Sequence, residues 1–352
     1  MSDRARLRAF AALCLARLRE VYREPEVVFW SFVFPILLSV GLGLAFRNRP
    51  PESSPVGVVE GPGAPAVVAA LEHASLLKVR TLAEAEAGQA LRLGRVDVVV
   101  VPGASPSATT VEYRLDPSRP EAILARSRVD DALQRAAGRQ DPLTSREVAL
   151  SEPGGRYIDF LIPGIIGMNL MSGGMWGMGF NLVDMRIKRL LKRLLATPLR
   201  RADFLGSHMA VRVGFTAIEV GFLLAFGRWA FALPLRGSLL AVLLVATLGA
   251  LCFSGLGLLV ASRATRIETV TGLMNVVMMP MFICSGIFFS ADRFPDALQP
   301  LIRALPLTAL NDGLRAVILE GASLASQSGR LLVLGLWGGL SFAVGLKLFR
   351  WN

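Results

Sequence analysis

The sequence predicts an α-helical polytopic membrane protein, and three observations lead to that class. It would have six transmembrane helices, an N-terminal interfacial helix and a small α/β extracytoplasmic domain between helices 1 and 2. First, 53% of the 352 residues are hydrophobic and 18% are charged, whereas soluble chains carry about 25% charged residues. Second, the apolar residues are gathered in blocks, and six blocks approach the ~20 residues needed to cross ~30 Å of hydrocarbon. Third, the formal charge of +11 is unevenly placed along the chain, dense between some blocks and sparse between others.

Residues 1–25 form the first element. Leu7, Phe10, Cys14, Leu18 and Val21 recur at helical spacing with arginines between them. A helix so patterned lies in the cytoplasmic interface with its apolar face toward lipid. Residues 26–46 form the first transmembrane helix, uncharged over Val27–Phe46. A basic leader and an apolar core resemble a signal peptide. The core is long, however, and no small-x-small site precedes Arg47, so it reads as a retained anchor.

Residues 47–157 form the extracytoplasmic domain, entered through a linker of Pro50, Pro51, Ser53, Ser54 and Pro55. Val56–Val59, Val96–Val101 and Thr109–Leu115 read as strands. Leu82–Leu93 and Glu121–Ala137 read as helices. No Gly-rich phosphate loop or catalytic constellation occurs there, so a structural or partner-contacting role is expected. Residues 158–352 carry helices 2–6, at Phe160–Val183, Ala210–Phe231, Gly237–Ser262, Thr269–Ala291 and Leu331–Leu346. Between the last two, Pro295, Pro300 and Pro306 divide the 290–330 loop. Leu307, Leu310, Leu314, Val317 and Ile318 lie at helical spacing there, with Asn311, Asp312 and Arg315 on another face. Two arrangements fit, a re-entrant pair of helices buried in protein or a helix lying flat on the surface.

Seventeen Lys and Arg flank one side of the spans, at 4–23, 184–206, 263–266 and 347–350, against six in the short loops of the other. The positive-inside bias therefore places both termini in the cytoplasm. It also explains most of the basicity, which makes nucleic acid an improbable partner and the anionic membrane surface a fitting one. Cys14, Cys252 and Cys284 are scattered, and the chain has two histidines. No disulfide framework or metal site is expected.

The densest cluster is MRIKRLLKRLLATPLRR at 185–201, within a cytoplasmic segment over 184–206. On a helical wheel of 185–195, Ile187, Leu190, Leu191, Leu194 and Leu195 fill one arc. Arg186, Lys188, Arg189, Lys192 and Arg193 fill the other. Thr197-Pro198 stops the helix. The chemistry alone suits a lipid anchor best, with a docking helix for a cytoplasmic partner as an alternative.

The run LLKRLLATPLRRADFLGSHM, following GMNLMSGGMWGMGFNLVDMR, resembles the membrane subunit of ABC-2 type exporters. Those proteins share a basic L-x-R-L-L-x-T-P segment after the second span. The later run RIETVTGLMNVVMMPMFICSGIFFSADRFPDALQPLIRALPLTALNDGLRAVILEG is similar to the family's second hallmark. LRLGRVDVVVVPGAS resembles a strand of its external domain. The resemblance covers most of the chain and implies several things. Two permease subunits pair, as a homodimer or with a sister chain, in the bacterial inner membrane. Each docks a cytoplasmic ABC ATPase, so that ATP sits on the partner and no cofactor on this chain. The coupling helix comprises Arg186, Ile187, Arg189, Leu190, Leu191, Arg193, Leu194, Thr197 and Pro198. Where many relatives carry an acidic E-R-E-x-G-T segment, Asp184–Arg189 stands here with a single acid. Periplasmic envelope proteins are a further partner class.

No G-x-x-x-x-G-K-[ST] occurs in the sequence, so hydrolysis by a Walker-type site is not expected of this chain. The second span is Gly- and Met-rich. A substrate path or dimer seam through Gly167, Met168, Met171, Gly174, Met175 and Met178 stands beside ordinary packing as a reading. Glu219 is an acid deep in a span, a functional candidate by position. Arg212 is expected to snorkel toward the cytoplasmic end. The expected activity is outward movement of an amphipathic or lipid-like cargo. The rivals are a proton-coupled secondary transporter using Glu219, and a scaffold that displays the external domain.

Overall fold

The computed structural model describes residues 10–15, 17–19, 23–46, 53–74, 76–103, 110–140, 143, 154–195 and 201–349, with backbone alone at 194–195 and 201–202. The chain divides into two compact units, Met1–Arg47 with Ser151–Asn352, and Asn48–Leu150.

Among the described residues of the first unit, six helices are long and apolar enough to cross a membrane. They are α1 (Pro25–Ala45), α5 (Tyr157–Ile187), α7 (Arg201–Phe231, apolar from Asp203), α8 (Leu239–Ala261), α9 (Ile267–Cys284) and α12 (Ser328–Leu348). Shorter helices are α6 (Leu190–Leu195), α10 (Gln299–Ala304) and α11 (Pro306–Arg315, continued by a π turn to Glu320). All six predicted spans are present. The fifth stops at Cys284 rather than Ala291 because Gly286 turns left-handed at φ +69°. Residues 10–15 and 17–19 are helical. Arg17 donates to Asn181 Oδ1 (3.1 Å) and to Met185 Sδ (2.8 Å), and its guanidinium lies 6.0 Å from the Phe204 ring. The rest of the predicted interfacial helix lies outside the described residues.

Helices α5 and α8 form the centre of this unit. In their most apolar stretches 83% and 56% of residues are buried, against 17–28% in the other four spans. They approach closely because glycines face each other. A Cβ on Gly257 would stand 2.8 Å from Met175 O, and one on Gly174 would stand 2.7 Å from Phe253 Cβ. Small residues at a crossing let backbones touch, which is the main packing resource where lipid is the solvent. Three π turns, Phe29–Val33, Trp176–Phe180 and Ala316–Glu320, lie where another segment docks. Ser31 O accepts Asn169 Nδ2 at 2.8 Å, Gly179 meets Gly257 O, and Ile318 O accepts Arg236 N at 2.9 Å.

In the second unit, β1 (Ser54–Val59), β2 (Leu77–Leu82), β3 (Val98–Pro102) and β4 (Val111–Leu115) form one sheet in the order β2-β1-β3-β4. β1 is parallel to β2 and β3, and β4 runs antiparallel to β3. Helices α2 (Ala64–Glu72) and α4 (Pro120–Ala136) cover the face of Val56, Val58, Val98 and Val100. α3 (Glu84–Arg92) covers Val59, Val96 and Val99 on the other face. The three predicted strands and two predicted helices of this unit are found, with shifted ends; β2 and α2 are additions. β2 hides because Lys78 and Arg80 alternate with Leu77 and Val79, an edge strand blunted by charge. Of the expected linker, Pro50 and Pro51 lie outside the described residues, while Ser54 and Pro55 instead open β1, in register with Leu77 and Lys78.

On α4, Asp130 accepts the Tyr113 hydroxyl at 3.0 Å. Burial first, and then that carboxylate, push the phenol up to about 12. The protonated form is favoured by folding. This contribution is therefore complete below the ordinary tyrosine pKa of ~10 and fades as pH rises through about 12. Difference absorbance titration of the wild type against Tyr113→Phe should show a phenolate transition centred near 12; a midpoint near ~10 would contradict the buried hydrogen bond. At the helix crossing, Gly257→Val must push against backbone. Its thermal unfolding in detergent should report a loss of about 1–3 kcal/mol, while Gly272→Ala, facing open space, should be nearly silent.

Candidate functional site

The C-terminal end of α5 and the helix α6 carry the predicted coupling residues. The wheel over 185–195 assumed one helix. The backbone instead stops α5 at Ile187, turns at Lys188 and adopts φ +55° at Arg189 before α6 begins. A helical wheel carries no information on such a break, so the two clean arcs do not form one surface. Ile187 is 46% exposed although it was placed on the apolar arc, Leu191 is buried, and Leu190 is partly buried. Lys188, Arg189, Lys192 and Arg193 are exposed, and Lys188 pairs with Asp184 at 2.8 Å. Leu194 has no described side chain, and Thr197 and Pro198 lie outside the described residues.

Arg186 points inward. Its Nη1 donates to Ala261 O (3.1 Å) and Ala264 O, its Nη2 donates to Ser262 O (3.2 Å), and the guanidinium stands 4.8 Å from the Phe349 ring. The last carbonyls of a helix lack intrahelical donors, and a cation there also complements the helix dipole.

The second group of predicted residues lies on α5 inside the protomer. Met168, Met171, Met175 and Met178 are buried in the main core. Gly167 lets Asn311 of α11 approach, and Gly174 meets Phe253 and Ser254 of α8. These residues line helix contacts within one chain.

Glu219 does not stand alone. Its Oε2 is 3.2 Å from Arg212 Nη1, and the two side chains are 1% and 12% exposed. Arg212 therefore turns into the bundle instead of snorkelling, because a carboxylate two turns along α7 offers a partner that lipid does not. Its Nη2 reaches Leu170 O at 3.3 Å. Gly173 makes the room, since a Cβ there would stand 2.6 Å from Nη1. Ser31 of α1 lies beside the carboxylate, and Asn169 is buried close by on α5. Thr216 Oγ1 and Arg212 Nε are buried without hydrogen-bond partners among the described residues. The spacing of 212 and 219 is a signal that sequence inspection can use, since positions seven apart share a helix face.

On the opposite end of the unit, α11 is buried in protein from Pro306 to Leu314 apart from Asp312. That is the arrangement of a helix enclosed by its neighbours and not of one lying on a surface. Arg315 donates through Nε to Phe160 O (3.2 Å) and through Nη2 to Gly286 O, and covers the Phe160 ring at 3.6 Å. Asn311 Nδ2 donates to Ser285 O at 2.8 Å. Arg156, which the sequence reading did not single out, joins the start of α5 to the end of α7. It bonds the buried Asp159 (2.8 Å) and Phe231 O (2.8 Å).

The profile of the ABC-2 family transporter proteins matches residues 25–347. The chain is 26% identical over 196 residues to ABC transporter G family member 20 of Dictyostelium discoideum, covering 55% of this chain and 27% of that protein. It is 26% identical over 176 residues to the linearmycin resistance permease protein LnrN of Bacillus subtilis, covering 50% and 46%. It is 29% identical over 170 residues to the probable multidrug ABC transporter permease YbhR of Escherichia coli, covering 48% and 46%. The aligned stretch thus spans between about a quarter and half the length of these curated relatives.

Breaking a buried ion pair from one side leaves an uncompensated charge, at a cost of about 3–5 kcal/mol. Arg212→Leu should therefore lower the stability of the detergent-solubilised protein by that order. Glu219→Gln should cost less, and the double change Arg212→Leu with Glu219→Leu should recover most of the loss. A thermal-unfolding double-mutant cycle measures the coupling; additive losses would mean the two groups do not interact.

Proposed function

The chain belongs to the ABC-2 family of transporter proteins, and we propose that it is the permease subunit of an ATP-driven exporter that moves an amphipathic or lipid-like cargo outward. The observation that carries the reading is the family match across nearly the whole chain, joined to an exposed basic surface at the inner end of α5 and α6. In this reading energy comes from a separate ABC ATPase, which the relatives named as permeases support. The names of two relatives, a linearmycin resistance permease and a probable multidrug permease, support an efflux role.

In this reading both termini are cytoplasmic in the bacterial inner membrane, and residues 47–157 form the extracytoplasmic domain, open to envelope partners. The helix within residues 1–25 lies in the inner interface, and α10 with α11 forms a re-entrant pair at the outer side. Two permease subunits pair. The ATPase meets Ile187, Lys188, Arg189, Lys192 and Arg193, which are exposed. ATP binding closes the ATPase pair and pushes α6, and the subunits open a path between them. The proton-driven alternative finds Glu219 paired with Arg212, which argues against a freely exchanging carrier.

Purification with a cognate ABC ATPase tests this. The double reversal Lys192→Glu with Arg193→Glu should weaken co-purification by about tenfold or more without lowering the thermal stability of the permease. Leu191→Asp, by contrast, should destabilise the protein itself, because Leu191 is buried. Undiminished capture of the ATPase by the charge-reversed chain would remove α6 from the interface. Cargo movement by vesicles holding this chain with no ATPase would remove the exporter reading.

A further inference from the structure

Helix α9 is sparsely buried along its body and bonded at both ends. Its buried residues form a single row, Val270, Met274, Met278 and Met281, while Val276 and Met279 are 71% and 57% exposed. Three of the four row members are methionines, whose flexible side chains keep contact while surfaces slide. The body is therefore lightly gripped. The ends are not. At the inner end, the carbonyls that lead into α9, Ser262 O and Ala264 O, are taken by Arg186 together with Ala261 O. At the outer end, the two carbonyls that follow α9, Ser285 O and Gly286 O, are taken by Asn311 and Arg315. Each clamp is also tied to α5. Arg186 is on its inner end, and Arg315 bonds Phe160 O near its outer start at 3.2 Å.

We propose that α9 is a transmission rod: Arg186 is the positioning residue that passes movement of the coupling segment to its inner end, and Arg315 delivers that movement to α11. The geometry favours this over two independent helix caps. A planar guanidinium bonded to several carbonyls fixes direction as well as distance. Three residues separate Arg186 from α6, so a push on α6 is spent almost at once on the α8–α9 turn. An 18-residue helix carries an axial displacement over roughly 27 Å, and the sliding methionine row does not oppose it. The outer carbonyls then drag α11, whose apolar side is enclosed by protein. Outward of Gly179, α5 and α8 cannot do this, because their glycine crossings lock them together. The inference rests on the permease reading for the source of the push.

The test uses the full chain with its cognate ATPase in nanodiscs, with Cys14, Cys252 and Cys284 replaced by serine or alanine. Spin labels go on exposed positions, Phe180→Cys with Thr269→Cys at the inner end and Ile283→Cys with Arg303→Cys at the outer end. Distances are measured before and after ATP with vanadate. With Arg186 present, the inner pair should keep its separation and the outer pair should shift. In Arg186→Gln the inner distribution should broaden and the outer shift should disappear, with the ATPase still bound and hydrolysing. Arg186→Lys, which keeps a donor but loses the fork, should give an intermediate outer shift, and it decides the matter if the glutamine variant does not assemble. In Arg315→Gln the inner pair should behave as in the parent while the outer shift is lost. An outer shift undiminished in both Arg186 variants overturns the rod, as does a static outer pair in the parent complex during hydrolysis. Failure of any ATPase to bind the parent chain would instead overturn the permease reading.

Discussion

Every backbone carbonyl that a helix leaves unbonded in an apolar surrounding must find a donor within the protein. In this chain arginine supplies many of them. Arg156 takes Phe231 O at the end of α7, Arg186 takes the end of α8, and Arg315 takes the turn after α9. A guanidinium offers five donors in a plane and stays charged, so one side chain can close several orphan groups. The other parts of the bundle follow from this. Helices can stop, turn and re-enter because their ends are satisfied by side chains from neighbouring elements. Hydrophobic attraction between helices is absent in lipid, so these polar ties and the glycine crossings share the task of fixing relative positions.

The ties also divide the bundle mechanically. Around α5 and α8, Gly174, Gly179 and Gly257 bring backbones into contact, and rotation there would meet main-chain atoms. Around α1 and α7, the Arg212–Glu219 pair with Ser31 and Asn169 binds two otherwise sparsely buried helices to α5. A charge pair in such a setting costs several kcal/mol of desolvation for each ion. Its value is a specific register between α5 and α7 rather than net stability. Gly173, open on the side where Arg212 lies, shows that the second span's glycines do separate jobs, some for helix contact and one for side-chain clearance.

Much of this was legible in the sequence, and the remainder was not for identifiable reasons. Hydropathy and charge alone mark the six spans, since long uncharged blocks have few other meanings. Clustered valines mark β1 and β3, the latter a continuous run, but β2 hides behind Lys78 and Arg80. The amphipathic α11 was readable from Leu307, Leu310 and Leu314, and its enclosure only from the structure, because burial depends on what surrounds it. At the coupling segment the residue types were informative and the geometry was not. Arg189 in a left-handed conformation has no sequence signature, and the partners of Arg186 and Arg315 are carbonyls that every residue carries. The Arg212–Glu219 pair was within reach through its spacing.

The π turn at Trp176–Phe180 sets one further property of α5. It holds one residue more than an α turn of the same height, so it fixes the angular phase of the inner segment, Asn181–Ile187, against the outer one. Conversion of that turn to ordinary α geometry would screw the inner segment round by roughly 100°. The face that carries Arg186 would then swing off the α8 carbonyls while the crossing at Gly174, above the turn, stayed seated. A helix that is immobile along most of its length thus contains, in five residues, the thread by which its end can be unlocked.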